Sequence, residues 1–254
     1  MALLKVKFYS SVLDCETAMN VILPRVADAH SEEPFPVLYL LHGMGDSQDT
    51  WCSQTSIERY VENTGLAVIM PTTGLGWYTD AVCGNNWRTF IGEELPAICR
   101  DLFPRISTKR EDTYIAGNSM GGYGAYALAL TYPEQYCAAY GFSGAYVPFQ
   151  SGLANDNDTY WTDIFGTHSE FTDSKNDLLA LSAKLLDSGR PLPKLLMWCG
   201  YSDFIYDHSI TMRDHLQKIG WPDFHYEESD GDHGWGYWNV HVQSLLSWIW
   251  ETRK

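Results

Sequence analysis

The chain has 254 residues, 45% hydrophobic and 19% charged, which suits one large α/β domain with a full core and excludes a disordered polymer. Its formal net charge of -15 at pH 7 repels polyanions and argues against nucleic acid or anionic membrane as partners. No apolar run reaches bilayer length.

The opening segment, Met1–Tyr9, places Lys5 and Lys7 where an export leader would need apolar residues, and it offers no small-residue cleavage site. A cytoplasmic protein is expected. The six cysteines, Cys15, Cys52, Cys83, Cys99, Cys137 and Cys199, are scattered without a C-x-x-C and are expected as reduced thiols. Asn157-Asp158-Thr159 matches a glycosylation sequon that such a protein would not use.

Two alternating segments, Val6–Val12 and Ala18–Leu23, predict an antiparallel edge hairpin. Val37–Leu41 is a continuous apolar run, as a buried parallel strand requires, and it ends in His42-Gly43. Ser56–Asn63 reads as a helix, Leu66–Met70 as the next strand, and Asn86–Phe103 as a helix with an apolar stripe at Phe90, Ile91, Leu95, Ile98 and Leu102. A strand over Asp112–Ala116 and a helix over Gly122–Leu130 follow. Ala138–Ser143 and Lys194–Cys199 are two further short apolar strands. His225 falls in a late strand, and His208–Ile219 and Val240–Trp250 are the late helices.

This alternation predicts an α/β fold with a mostly parallel central sheet and helices on both faces. The chain reads as one domain, 1–254. The stretch 147–176 breaks the pattern, being polar with interspersed Phe149, Tyr160, Trp161, Phe165 and Phe171. It reads as a small cap-like insertion without a core of its own. Its aromatics also suggest homo-oligomerisation.

Between the strand at 112–116 and the helix at 122–130 stands Gly117-Asn118-Ser119-Met120-Gly121. A strand, a sharp turn carrying Ser and then a helix is a nucleophile elbow. The glycines admit the tight turn, and the helix N-terminus favours developing negative charge. Ser119 is therefore the candidate nucleophile. In this arrangement the acid and base follow the nucleophile along the chain. Asp203 sits just past the end of the strand at 194–199, where open α/β sheets keep their active sites. Asp207 competes, but reads as a first-turn helix acid. His233, in the loop Ser229–Trp235, is the candidate base; His208, His215, His225 and His241 fall inside helices or a strand. The oxyanion hole needs two backbone N–H groups, one from Met120 and one from the loop His42–Asp46, where Met44 is the expected donor. His42 precedes the nucleophile and reads as a brace for that loop. No metal-binding or phosphate-binding motif is present, and no cofactor is expected.

Taken together, H-G-M-G-D (42–46), G-W-Y-T-D (76–80), E-E-L-P (93–96), G-N-S-M-G-G-Y-G (117–124), F-S-G-A (142–145), C-G-Y-S-D-F (199–204) and D-H-G-W-G-Y-W (232–238) resemble the esterase D branch of the α/β-hydrolases, above all the bacterial tributyrin esterases. Relatives there include S-formylglutathione hydrolases and acetyl-xylan and feruloyl esterases. The resemblance covers nearly the whole chain. It implies a triad at Ser119, Asp203 and His233, oxyanion donors at Met44 and Met120, and short-chain acyl (acetyl to butyryl) esters as substrates. Trp77, Tyr78, Trp87, Trp161, Phe204 and Trp235 are then candidates for the pocket wall. Asn118 departs from the Leu or His of relatives, and Asn85–Arg88 lies where relatives vary. The alternatives are an acetyl-xylan or feruloyl esterase acting on plant-derived acylated oligosaccharides, an S-formylglutathione hydrolase, an acyltransferase, and a non-catalytic binding protein on the same fold.

Overall fold

The computed structural model describes residues 1–25 and 33–252. Eight strands form one sheet: β1 (Ala2–Ser10), β2 (Cys15–Leu23), β3 (Val37–Leu41), β4 (Ala67–Pro71), β5 (Thr113–Asn118), β6 (Ala138–Phe142), β7 (Lys194–Gly200) and β8 (Phe224–Ser229). Their spatial order is β1-β2-β4-β3-β5-β6-β7-β8. β1 and β2 pair antiparallel, as does β2 with β4, and every pair from β4 through β8 is parallel. This is the α/β-hydrolase arrangement. The residue pattern follows position in the sheet. Central strands β3 to β6 are buried at every residue, because helices cover both faces. Edge strands β1 and β8 alternate between more and less exposed residues.

The alternation of side chains across the pleat divides the core in two. Tyr39, Leu41, Ile115, Leu195 and Met197 face one side. Leu38, Leu40, Tyr114, Ala116, Leu196 and Trp198 face the other. The short helices α1 (Thr50–Gln54) and α2 (Ile57–Tyr60) lie on the second side with the C-terminal helix described below. On the first side run α3 (Trp87–Thr89) and α4 (Leu95–Leu102), joined through a π-helical turn at Phe90–Glu94, and α5 (Met120–Thr131). α5 is buried from Met120 to Leu130, so it is apolar around its whole circumference rather than along one stripe.

Against α5 pack the helix at 178–186 and, through aromatic side chains, the segment 147–176. This segment contains α6 (Thr159–Phe165) and α7 (His168–Phe171), the latter opened by a capping box between Thr167 and Glu170. Its Phe149, Trp161, Ile164, Phe165 and Phe171 join the same apolar cluster as α5. Helix α8 (Leu178–Leu186) follows, started by the Asp177 carboxylate, which accepts from the amides of Leu179 and Ala180. α9 (Tyr206–Ile219) and α10 (Trp235–Thr252) complete the fold.

Several boundaries differ from the sequence expectation. α1 and α8 were not among the expected elements. The helix expected over Asn86–Phe103 is interrupted by the π-turn, which the apolar spacing alone does not reveal. α10 starts at Trp235 instead of Val240, because Trp238 in its first turn is buried against the second core layer. Among the described residues no helix is long and apolar enough to cross a membrane. All six cysteines are unpaired thiols.

Candidate active site

Ser119 stands at the C-terminal end of β5 with φ 54° and ψ -117°, outside the usual allowed regions for a residue with a Cβ. The surrounding packing imposes this conformation. A Cβ on Gly117 would lie 2.5 Å from the carbonyl of Gly121, and one on Gly121 would lie 2.6 Å from the carbonyl of Leu41. Strand β5, helix α5 and the end of β3 therefore meet backbone to backbone, and the chain between them must turn sharply. The turn is held by the Ser119 amide, which donates to the Phe142 carbonyl at 2.9 Å.

Two long-range partners meet this serine. His233 lies on the loop between β8 and α10, and its Nε2 is 2.9 Å from Ser119 Oγ. Its Nδ1 is 2.9 Å from both carboxylate oxygens of Asp203, on the loop after β7. A carboxylate only accepts, so Nδ1 carries the proton and Nε2 is left to accept from the serine hydroxyl. The Asp203 side chain is fully shielded from solvent, and that of His233 is 16% exposed. Burial pushes the Asp203 carboxyl upward. The hydrogen bond and charge of His233, with the bond from the Ile205 amide at 2.9 Å, outweigh it and hold the group below its ordinary value, so it stays charged. Asp207 lies in the first turn of α9, as expected of a helix-opening acid.

The loop after β3 passes beside the serine. A Cβ on Gly43 would be 3.6 Å from Ser119 Cβ, so the residue before Met44 touches the elbow. His42 braces this loop. Its Nε2 accepts from the Thr73 amide at 3.0 Å, its Nδ1–H donates to the Gly43 carbonyl at 2.7 Å, and its own carbonyl accepts from the Tyr78 hydroxyl at 2.9 Å. Burial depresses its pKa to about 4, so the ring is neutral. The Met120 amide opens α5 and, as a first-turn N–H, has no acceptor within the helix.

The six aromatic candidates separate into two groups. Phe204 is 74% exposed, with its ring centroid 4.5 Å from that of His233. Trp235 is half-buried against Trp51 and Trp238. Of the two, Phe204 borders His233. Trp77, Tyr78 and Trp161 are buried, and Trp87 packs on Gly76 and Phe90. Trp77 and Tyr78 are consecutive bulky residues at φ 51° and 52°, a costly pair of conformations. They are held by the Tyr78 bond to His42 and by the Trp77 indole, which donates to the Tyr160 hydroxyl at 2.9 Å. Tyr160 also reaches Met44 Sδ at 3.6 Å. The segment 147–176, the strained 77–78 turn and the loop after β3 are thus joined through one tyrosine.

Three residues of this neighbourhood are not among the site candidates read from the sequence: Tyr160, Trp238, whose ring meets His233, and Ser143, which accepts from Trp238. Each lies within a stretch already marked, in the aromatic insertion, in D-H-G-W-G-Y-W and in F-S-G-A. Among the described residues, no group of three His, Cys, Asp or Glu side chains is placed to hold a metal ion.

The chain is similar to known proteins along nearly all of its length. The profile of the Esterase family matches residues 10–198. An acetyl esterase of Caldicellulosiruptor saccharolyticus is 30% identical, with 98% of each chain covered. The solved structure of FphF, a fluorophosphonate-binding serine hydrolase of Staphylococcus aureus, superposes with a TM-score of 0.89 at 30% identity over 98% of each chain. That of an S-formylglutathione hydrolase from the same organism gives 0.86 at 31% identity, again over 98% of each chain.

Proposed function

For a chain that belongs to the Esterase family of α/β-hydrolases and is a serine carboxylic-ester hydrolase, we propose that Ser119, His233 and Asp203 perform the chemistry on short-chain acyl esters. The observation that carries this reading is the unbroken relay from Ser119 Oγ through both ring nitrogens of His233 to the Asp203 carboxylate, at 2.9 Å per step.

In this mechanism Ser119 Oγ attacks the ester carbonyl carbon while His233 Nε2 takes its proton. The carbonyl oxygen becomes an oxyanion held by the Met44 amide of the loop after β3 and the Met120 amide at the N-terminus of α5. His233 then protonates the departing alcohol oxygen, leaving an acyl-Ser119 ester. Water, deprotonated by the same ring, hydrolyses it and restores the hydroxyl. Asp203 keeps the proton on Nδ1 throughout and stabilises the imidazolium that forms in each half.

The acyl preference rests on crowding. Phe204 lies against His233, while Tyr78 and Tyr160 hold the loop that carries Met44 and the Trp77 and Trp161 rings pack beside Tyr160. Such a site admits acetyl to butyryl groups, and the acetyl esterase among the relatives supports the same end of the range. A cytoplasmic location, and an acylated oligosaccharide as one class of substrate, belong to this reading.

The test is a hydrolysis panel of p-nitrophenyl acetate, butyrate and laurate, acetylated xylo-oligosaccharide, methyl ferulate and S-formylglutathione, with Ser119→Ala as control. Turnover that depends on Ser119 and falls steeply beyond butyrate is expected. Equal rates on laurate and acetate would sink the short-chain assignment. Preference for S-formylglutathione, which is the named substrate of one structural relative, would move the enzyme to thioester hydrolysis.

A further inference from the structure

The loop after β3 is held at two points by tyrosines from distant parts of the chain. Tyr78 donates its hydroxyl to the His42 carbonyl at 2.9 Å. Tyr160, in the first turn of α6, reaches Met44 with its hydroxyl 3.6 Å from Sδ. The two anchors are also linked to each other, because the indole of Trp77, the neighbour of Tyr78, donates to the Tyr160 oxygen at 2.9 Å. An indole only donates, so Tyr160 accepts there, and its single hydrogen is left for the Met44 sulfur and for the Leu75 carbonyl at 3.3 Å. The result is a closed circuit. It runs from His42 along the chain to Met44, across to Tyr160, on to Trp77 and Tyr78, and back to His42.

The far side of this circuit is firmly set. The Tyr160 amide donates to the Asp158 carboxylate at 3.0 Å, and the Tyr160 ring lies against Trp161 with centroids 4.9 Å apart. Trp77 and Tyr78 are buried at φ 51° and 52°, where glycine would cost less. Each turns its polar atom toward the loop, Tyr78 directly and Trp77 through Tyr160. The Met44 side chain is 50% exposed, and the Tyr160 hydroxyl is the donor it meets. We propose that Tyr160 is a positioning residue for ester hydrolysis, which by holding the Met44 side chain sets the Met44 amide toward the developing oxyanion. The inference rests on the reading above of Ser119, His233 and Asp203 as the triad and of Met44 as an oxyanion donor. A thioether is a weak acceptor, so loss of this contact should move Met44 without unfolding a loop that Tyr78 still holds. A hydroxyl that served only to dock the segment 147–176 would be satisfied by Trp77 and Leu75, and its loss would leave the oxyanion untouched.

The discriminating variant is Tyr160→Phe, which keeps the ring against Trp161 and removes the hydroxyl. Rates on p-nitrophenyl acetate are taken per active site, counted by irreversible labelling with a fluorophosphonate. The expected kcat is lower by about tenfold, a fraction of the roughly 10²–10³ that loss of one oxyanion donor costs. KM should stay within about twofold. A short-chain aryl trifluoromethyl ketone, which adds to Ser119 as a tetrahedral oxyanion, should lose affinity by the same factor as kcat. The acidic limb of the kcat/KM profile should not move, because the base and the acid are untouched. A purely structural role would change the number of active sites and none of these values. Met44→Leu keeps the bulk and removes the sulfur. It should lower kcat by about threefold, and adding it to Tyr160→Phe should lower kcat no further.

A Tyr160→Phe enzyme with kcat per site within about twofold of the parent, or with reduced kcat and unchanged affinity for the ketone, would overturn the proposal. So would losses for Tyr160→Phe and Met44→Leu that multiply in the double variant. A Met44→Leu enzyme unchanged in kcat and in ketone affinity would overturn it whether or not Tyr160→Phe folds. Failure of the underlying readings is separable. For the triad it would appear as activity surviving Ser119→Ala, and for the oxyanion donor as activity surviving Met44→Pro, which carries no amide hydrogen.

Discussion

Two serine–histidine pairs lie near Asp203, and they differ in where the proton sits. In the first, His233 turns Nδ1 to a carboxylate and Nε2 to Ser119. In the second, His208 accepts from the Val147 amide on Nδ1 at 3.3 Å and contacts Ser151 Oγ through Nε2. A backbone amide can only donate, so the His208 proton resides on Nε2 and is given to Ser151, whose own hydroxyl donates to the Val147 carbonyl at 3.0 Å. Under the proposed mechanism the same two residue types therefore make a base in one place and a bolt in the other. The partner on the far ring nitrogen decides: an acceptor there frees Nε2 for a serine proton, and a donor there fills it. His208 bolts the start of the segment 147–176 onto α9.

The sharpest break of this contrast is Ser119→Ala, expected to lower kcat by about 10⁴-fold with the fold intact. A variant keeping more than a tenth of the activity would reject Ser119 as the nucleophile. Next comes Asp203→Asn, which replaces the acceptor on Nδ1 by a group that can also donate. It converts His233 toward the His208 arrangement and should cost about 10³-fold or more in kcat. Asp207→Asn, in the first turn of α9, should cost less than about threefold. The reverse ranking would move the acid.

How much of this was legible in the sequence depended on the range of the interactions. β3 to β7 announce themselves as apolar runs because central parallel strands are buried on both faces. Ser119 carries a local signal in its flanking glycines, whose side chains would strike neighbouring backbone. Asp203 and His233 follow from chain order and from their places past a strand and before a helix. Ser143 and Trp238 carry no such sign, because their bond spans 95 residues and neither type is unusual in its own segment. Trp77 and Tyr78 hide their left-handed turn for a similar reason: neither left-handed position is a Gly or Asn, and tertiary bonds to His42 and Tyr160 enforce it. The short α1 and the start of α10 escape periodicity, which needs several turns to register.

The two braces, His208 and His42, also predict a pH dependence of stability. Burial depresses both from 6.5 to about 4 in the folded chain, while the unfolded chain titrates near 6.5. Between those values the unfolded state binds more protons, so stability is full above about pH 6.5 and falls as pH drops toward 4, levelling below it. Each ring contributes on the order of 3 kcal/mol across that window. Urea midpoints measured from pH 7.5 to 4.5 should fall steadily. A flat series would mean that neither ring is held neutral by burial.

The smallest expected effect isolates the second pair from catalysis. Ser151→Ala removes the acceptor of the His208 Nε2–H and leaves that buried donor without a partner, which costs about 1–3 kcal/mol. The ring still accepts from Val147, so its proton stays on Nε2 and nothing at Ser119 changes. Unfolding midpoints should fall while kcat on p-nitrophenyl acetate stays within about twofold of the parent. A loss of tenfold or more in kcat would show that the bolt and the base are one machine, with Asp203 serving both histidines. The distinction between the two serine–histidine pairs would then have to be drawn from their distance to substrate and no longer from the placement of a proton.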